Sequence, residues 1–154
     1  MTSSLVGSEM CIRDRYTYDQ LKIGDTNTFQ KTITEADVLL FTAISGDHNP
    51  VHVSEEFAKG TKFGRRIAHG LLTASMFSAA LTNAFPTSIY ISQYTEFCAP
   101  VYIGDTIKVV VTCIEKMEKG RVRMKTEAFN QNGDKVITGE GVTRLAREIP
   151  PELR

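Results

Sequence analysis

Residues 67–86 read IAHGLLTASMFSAALTNAFP, and no Asp, Glu, Lys or Arg occurs anywhere between Arg66 and Glu96. Leu71, Leu72, Met76, Phe77, Ala80, Leu81 and Phe85 recur at helical intervals, and no charged face balances them. A helix without a charged face is usually buried on all sides. The stretch before Pro86 is shorter than the roughly 20 residues that a membrane span requires. The prediction is a long central helix, buried all round, inside the core of a water-borne domain.

Beyond Pro86 the pattern changes to long β-rich segments: SIYISQYTEFCAPV, DTIKVVVTCIEKME, GRVRMKTEAFNQ and GDKVITGEGVTRLA. Gly104-Asp105, Lys119-Gly120 and Asn132-Gly133 stand between them as turn signals, the last followed by Asp134 as a hairpin signature. Upstream, NTFQKTI alternates as a first strand, and Thr34 offers a helix cap with Asp37 three residues on. Val38, Phe41 and Ile44 at helical spacing predict a helix over about residues 35–45, closed by Gly46. Ser54 followed by Glu55, Glu56 and Phe57 predicts a short capped helix. One long apolar helix against a curved antiparallel sheet is an α+β layout.

Residues 16–148 carry these signals and are read as one domain, with 149–154 as a C-terminal tail. The opening MTSSLVGSEMCIRDR shows neither period nor the charged-then-apolar order of a secretory signal. It resembles translated sequencing-adapter sequence, so residues 1–15 are read as a tail outside the fold. Charge is balanced, 18 basic against 18 acidic residues, which gives no electrostatic case for nucleic acid or an anionic membrane. The widely spaced Cys11, Cys98 and Cys113 form no metal-type spacing and read as free thiols of a reducing, cytoplasmic compartment.

Between the two helical regions lies SGDHNPVHVS, Ser45–Ser54. Pro50 disfavours helical geometry at Asn49 and lacks an N–H, so a bent loop is expected. Asp47 and His52 are five apart, and only the fold can make them converge. Asn49 and Pro50 read as supporting residues that shape the loop. A zinc site from Asp47, His48 and His52 lacks the helix that would align its ligands and any Cys or Glu to complete a tetrahedral set. No metal and no cofactor is expected, and His48 reads as a surface residue.

The combination FTAISGDHNPVHVS, then RIAHGLLTASMFSAAL, then YTEFCAPVYIGDTIKV resembles the MaoC-like hydratases, (R)-specific enoyl-CoA hydratases of the hot-dog fold. The resemblance covers about residues 23–145. It implies a long helix wrapped by an antiparallel sheet, a homodimer or higher homo-oligomer with sheets joined edge to edge, and an acyl-CoA site near the subunit interface. It implies that Asp47 and His52 are the catalytic pair for reversible hydration of trans-2-enoyl-CoA, with fatty-acid metabolism as the setting. It places the thioester carbonyl at Gly70, whose N–H opens the apolar helix and would supply the oxyanion contact. Ser78 matches a family serine near the site and is a supporting candidate. Lys62, Arg65 and Arg66, just before Gly70, are candidates for the coenzyme A phosphates. His69 reads as a packing or hydrogen-bonding residue rather than an acid. A hot-dog thioesterase and a dehydratase acting on acyl carrier protein are the alternatives.

Overall fold

A seven-residue strand, β1 (Thr26–Thr32), opens the domain. The helices α1 (Glu35–Ser45), α2 (Pro50–Val53), α3 (Glu55–Lys59) and α4 (Gly70–Ala84) follow. Four strands complete it: β2 (Ile89–Phe97), β3 (Thr106–Lys116), β4 (Arg121–Phe129) and β5 (Lys135–Arg144). The computed structural model describes residues 17–153, so the tail predicted at residues 1–15 lies outside the described residues. The strands form one antiparallel sheet in the order β1-β3-β4-β5-β2. A long helix on a single antiparallel sheet is the α+β hot-dog arrangement that the sequence predicts.

Local chemistry explains the boundaries. Thr34 and Asp37 form a reciprocal capping box at the start of α1: the Asp37 N–H donates to Thr34 Oγ1 (3.2 Å) and the Thr34 N–H to Asp37 Oδ2 (2.8 Å). Gly46 closes α1 at φ 75°, a left-handed conformation that glycine adopts without steric cost. Lys119 and Gly120, at φ 59° and 74°, supply the two consecutive left-handed residues of a tight β3–β4 connection. Sheet alternation is clean where one face is covered: Ile107, Val109, Val111 and Cys113 of β3 point inward, as do Val122, Met124, Thr126 and Ala128 of β4.

Three expectations are corrected. First, α4 is not buried all round. Thr73, Met76, Phe77, Ala80, Leu81 and Ala84 form a buried stripe packed mainly against β1 and β3. The opposite face, with Leu71, Ser75, Ser78 and Thr82, is exposed. Its lack of charge therefore marks an uncovered apolar side, and β2 beside it exposes Ile89, Tyr90, Ile91, Tyr94 and Phe97. Second, α1 buries Val38 and Thr42 and leaves Ile44 exposed, because the buried face follows the i, i+4 pair rather than the predicted one. Third, the Pro50 segment is a helical turn. Proline sits at its first position, where its missing N–H and preset φ fit a helix start. Among the described residues no helix is long and apolar enough to cross a membrane, and Cys98 and Cys113 are free thiols, the second buried.

Candidate active site

The loop between α1 and α2 is built by short polar links. Ser45 Oγ donates to the Phe41 carbonyl (2.7 Å) and accepts from the Asp47 N–H (3.1 Å). Asp47 Oδ1 accepts from the Asn49 N–H (3.1 Å), and Asn49 Oδ1 caps α2 by accepting from the Val51 N–H (3.2 Å). These Asx-type bonds turn the chain so that α2 carries His52 back over Asp47. His52 Nε2 then lies 3.9 Å from Asp47 Oδ2. That is too long for a hydrogen bond, and it leaves room for one oxygen to contact both.

The tautomer of His52 follows from its other nitrogen. Nδ1 stands 2.7 Å from the Ile67 carbonyl, which can only accept, so Nδ1 carries a hydrogen and the neutral ring presents the Nε2 lone pair towards Asp47. The imidazole is nearly buried, whereas the Asp47 carboxylate is about half exposed (side-chain exposures of 10% and 49%). His69 packs behind the pair, its ring 4.0 Å from that of His52 at 31°. Its Nε2 lies 3.2 Å from the Asp47 carbonyl and 3.2 Å from Thr42 Oγ1. Burial holds the His69 pKa below the ordinary histidine value; the bond to the Asp47 carbonyl opposes that effect, and the nearby His52 adds to it.

Asp47, His52, His69 and Gly70 share a cleft of about 610 Å³ with Phe41, Phe63, Leu71, Phe97, Val136 and Ile137. One end is polar and the rest apolar, the form of a small-ligand site. Gly70 is the first residue of α4, so its N–H has no partner within the helix and lies at the positive end of the dipole. The Phe97 ring presses on it: a Cβ at Gly70 would stand 2.6 Å from Phe97 Cε1.

The other predicted residues divide. Lys62 Nζ lies 5.3 Å above the ring of Phe63, a cleft residue, and the Arg65 guanidinium stacks 4.2 Å from the ring of Tyr102, which follows the cleft residue Val101. Arg66 does not stand ready for a phosphate. It is bonded to both carboxylate oxygens of Glu35, to Glu55 Oε2 (3.1 Å) and to the His52 carbonyl (3.4 Å), which makes it a strut between α1, α2 and α3. Ser78 is on the exposed face of α4, eight residues beyond Gly70, and does not line the cleft. His48 is exposed, as expected. The sequence reading passed over Thr42, Phe97 and the Ile67 carbonyl. Thr42 had a signal, a polar residue four after Val38 on the buried stripe of α1; a main-chain carbonyl has none.

The metal-type grouping among the described residues is Asp47, His52 and His69, whose potential ligand atoms all lie within 4.8 Å. His69 Nε2 is engaged with the Asp47 carbonyl, and the two imidazoles are stacked. With Nε2 donating to that carbonyl, that nitrogen has no lone pair for an ion, and no fourth protein ligand joins the group among the described residues. The set does not fit a tetrahedral ion.

Residues 20–136 match the family model for the MaoC like domain. The chain is similar to an (R)-specific enoyl-CoA hydratase of Rhodospirillum rubrum, 41% identical over 131 residues and covering 83% of this chain and 90% of that protein. It is likewise similar to a 3-hydroxybutyryl-CoA dehydratase of Methylorubrum extorquens, 40% identical over 134 residues and 85% of each chain. Among solved structures, the unliganded R-hydratase PhaJ1 of Pseudomonas aeruginosa superimposes with a TM-score of 0.83 at 39% identity, over 89% of this chain and 95% of that one.

Proposed function

Because the chain belongs to the MaoC-like domain family, we propose that it is a lyase that reversibly hydrates trans-2-enoyl-CoA to (R)-3-hydroxyacyl-CoA. The observation that carries this reading is the 3.9 Å gap between Asp47 Oδ2 and His52 Nε2, in a cleft that Gly70 also lines. A water oxygen touching both groups loses a proton to Asp47 as it attacks C3, while His52 orients it. The Asp47–His52 pair then returns a proton to C2, so that H and OH add across the double bond from one side. The thioester oxygen, which gains charge as C3 is attacked, meets the Gly70 N–H at the positive end of α4. The apolar remainder of the cleft takes the acyl chain, and Lys62 and Arg65 meet the coenzyme A phosphates. The (R) hand of the product is supported by the activity for which the Rhodospirillum rubrum relative is named, and the coenzyme A carrier by the names of both relatives.

The homodimer belongs to the same proposal. The open edge strand β2 has Glu96 as its single charge and exposes five large apolar side chains, with the uncharged face of α4 beside it. An edge of this composition invites pairing with a second copy. A cytoplasmic location fits the free thiols.

The test is hydration of crotonyl-CoA, followed as loss of enoyl absorbance, with release of free thiol measured in parallel and chiral analysis of the product. Asp47→Asn and His52→Ala should each lower kcat by at least about 10²-fold with melting unchanged. Normal turnover in either variant removes that residue from the mechanism. Thiol release without hydration would make the protein a thioesterase.

A further inference from the structure

We infer that His69 is a positioning residue, whose ring holds the Asp47 main chain and the His52 imidazole in the placement that the proposed hydration requires. The inference rests on that reading of the cleft and adds to it a residue that takes no part in proton transfer. His69 is 2% exposed. A carbonyl only accepts, so the 3.2 Å contact with the Asp47 oxygen puts the ring hydrogen on Nε2. Nδ1 is then the bare nitrogen, and it is buried without a hydrogen-bond partner. Protonating it would create a buried charge and a buried donor with nothing to bond, both costly. The titratable groups facing the ring are His52 and Asp47; Thr42 and Phe41 close the remaining sides.

His69 therefore connects three segments at once. It meets α1 through Thr42 and through Phe41, whose ring centroid is 4.8 Å away. It meets the loop through the Asp47 carbonyl and α2 through the stacked His52. Both members of the proposed pair rest against this one side chain. A misplacement of about 1 Å in such a pair can cost about 10²-fold in rate.

Two variants separate the ring from its hydrogen bond. His69→Phe keeps a stacking surface and loses the donor; His69→Gln places an amide N–H near the former Nε2. With crotonyl-CoA, His69→Phe should lower kcat by roughly 10- to 100-fold and leave KM within about twofold, and His69→Gln should recover most of the loss. A side chain that only filled space would show the reverse order, with Phe the milder change. The chain has three histidines, so ring nitrogen NMR resolves each. His69 should be the neutral Nε2–H form at about pH 8 and titrate, on acidification, below the ordinary histidine value. Wild-type kcat in His69→Phe, a His69→Gln no better than it, or a His69 that titrates at or above the ordinary histidine value would overturn the inference. A wild-type protein inactive on crotonyl-CoA would overturn the hydratase reading alone, because the ring spectra, and their change at His52 in His69→Phe, still decide the role of His69.

Discussion

Gly70 has two reasons to be glycine, and one substitution pair separates them. The Phe97 ring leaves no space for a Cβ, and Gly70 lines the cleft as the first residue of α4, where an N–H has no partner within the helix. His69, at φ −59° and ψ 136°, already has the extended conformation that precedes a proline, and Gly70 is at the helix position where proline is tolerated. Gly70→Ala and Gly70→Pro both displace Phe97, but only the second removes the N–H. The kcat of the proline variant should fall about 10²- to 10³-fold below that of the alanine variant. Equal rates would leave the oxyanion role without support. That Asp47, His52 and Gly70 share one cleft was anticipated only through the likeness of the Asp47–His52 loop and the His69–Leu72 helix start to one family, because nothing in their spacing alone makes them converge. Phe97 was not, since an aromatic residue on a predicted strand reads as core until the sheet is placed.

Secondary elements were legible where caps and turns carry them, as at Thr34, Gly46, Ser54 and Lys119-Gly120. The Pro50 turn was misread because proline forbids a helix interior but favours its first residue, and the sequence alone does not say which applies. The basic run before α4 shows the same ambiguity in charge. Arg66 neighbours Arg65, yet the acceptors Glu35 and Glu55 that claim it come from two other helices. Arg66→Met should lower Tm by a few degrees and leave KM for crotonyl-CoA near normal. Lys62→Met and Arg65→Met should raise KM several-fold with Tm unchanged. Thermal melts and steady-state kinetics on the three proteins check this, and a raised KM in Arg66→Met alone would reverse the assignment.

For the whole molecule, association and acid stability can be anticipated. Sedimentation at micromolar concentration should find a dimer, and Tyr94→Lys, which puts a charge on the exposed β2 edge, should yield monomer. A wild-type monomer would contradict the edge-to-edge proposal. Acid stability has two stages. Burial depresses the pKa of His69, so its neutral form stabilises the fold fully above about pH 6.5 and that contribution is lost as pH falls towards the folded value. The Glu35 carboxyl is lowered by its bond to Arg66. Burial alone would raise Asp37 and Glu127, but bonds to Lys31 and Thr34, and to Lys135 and Lys125, bring both below the usual carboxylate range. These contributions are present above about pH 4.3 and disappear at lower pH. Tm measured against pH should therefore be level from about pH 7 to 8, decline below about 6.5 and decline again below about 4.3, and His69→Gln should remove the first decline.

The pairing of β1 with β3 has a consequence for synthesis. Thr26 meets Thr112 and Thr32 meets Thr106, so the first strand waits for a partner that emerges only after the four helices and β2. Until then the apolar stripe of α4 lacks β3, and β1, although already made, has no strand to pair with. The nascent chain must carry that stripe, and the unfinished cleft beside it, incompletely covered until Thr106–Lys116 has followed. The interval is one in which chaperone holding favours the native sheet over premature association.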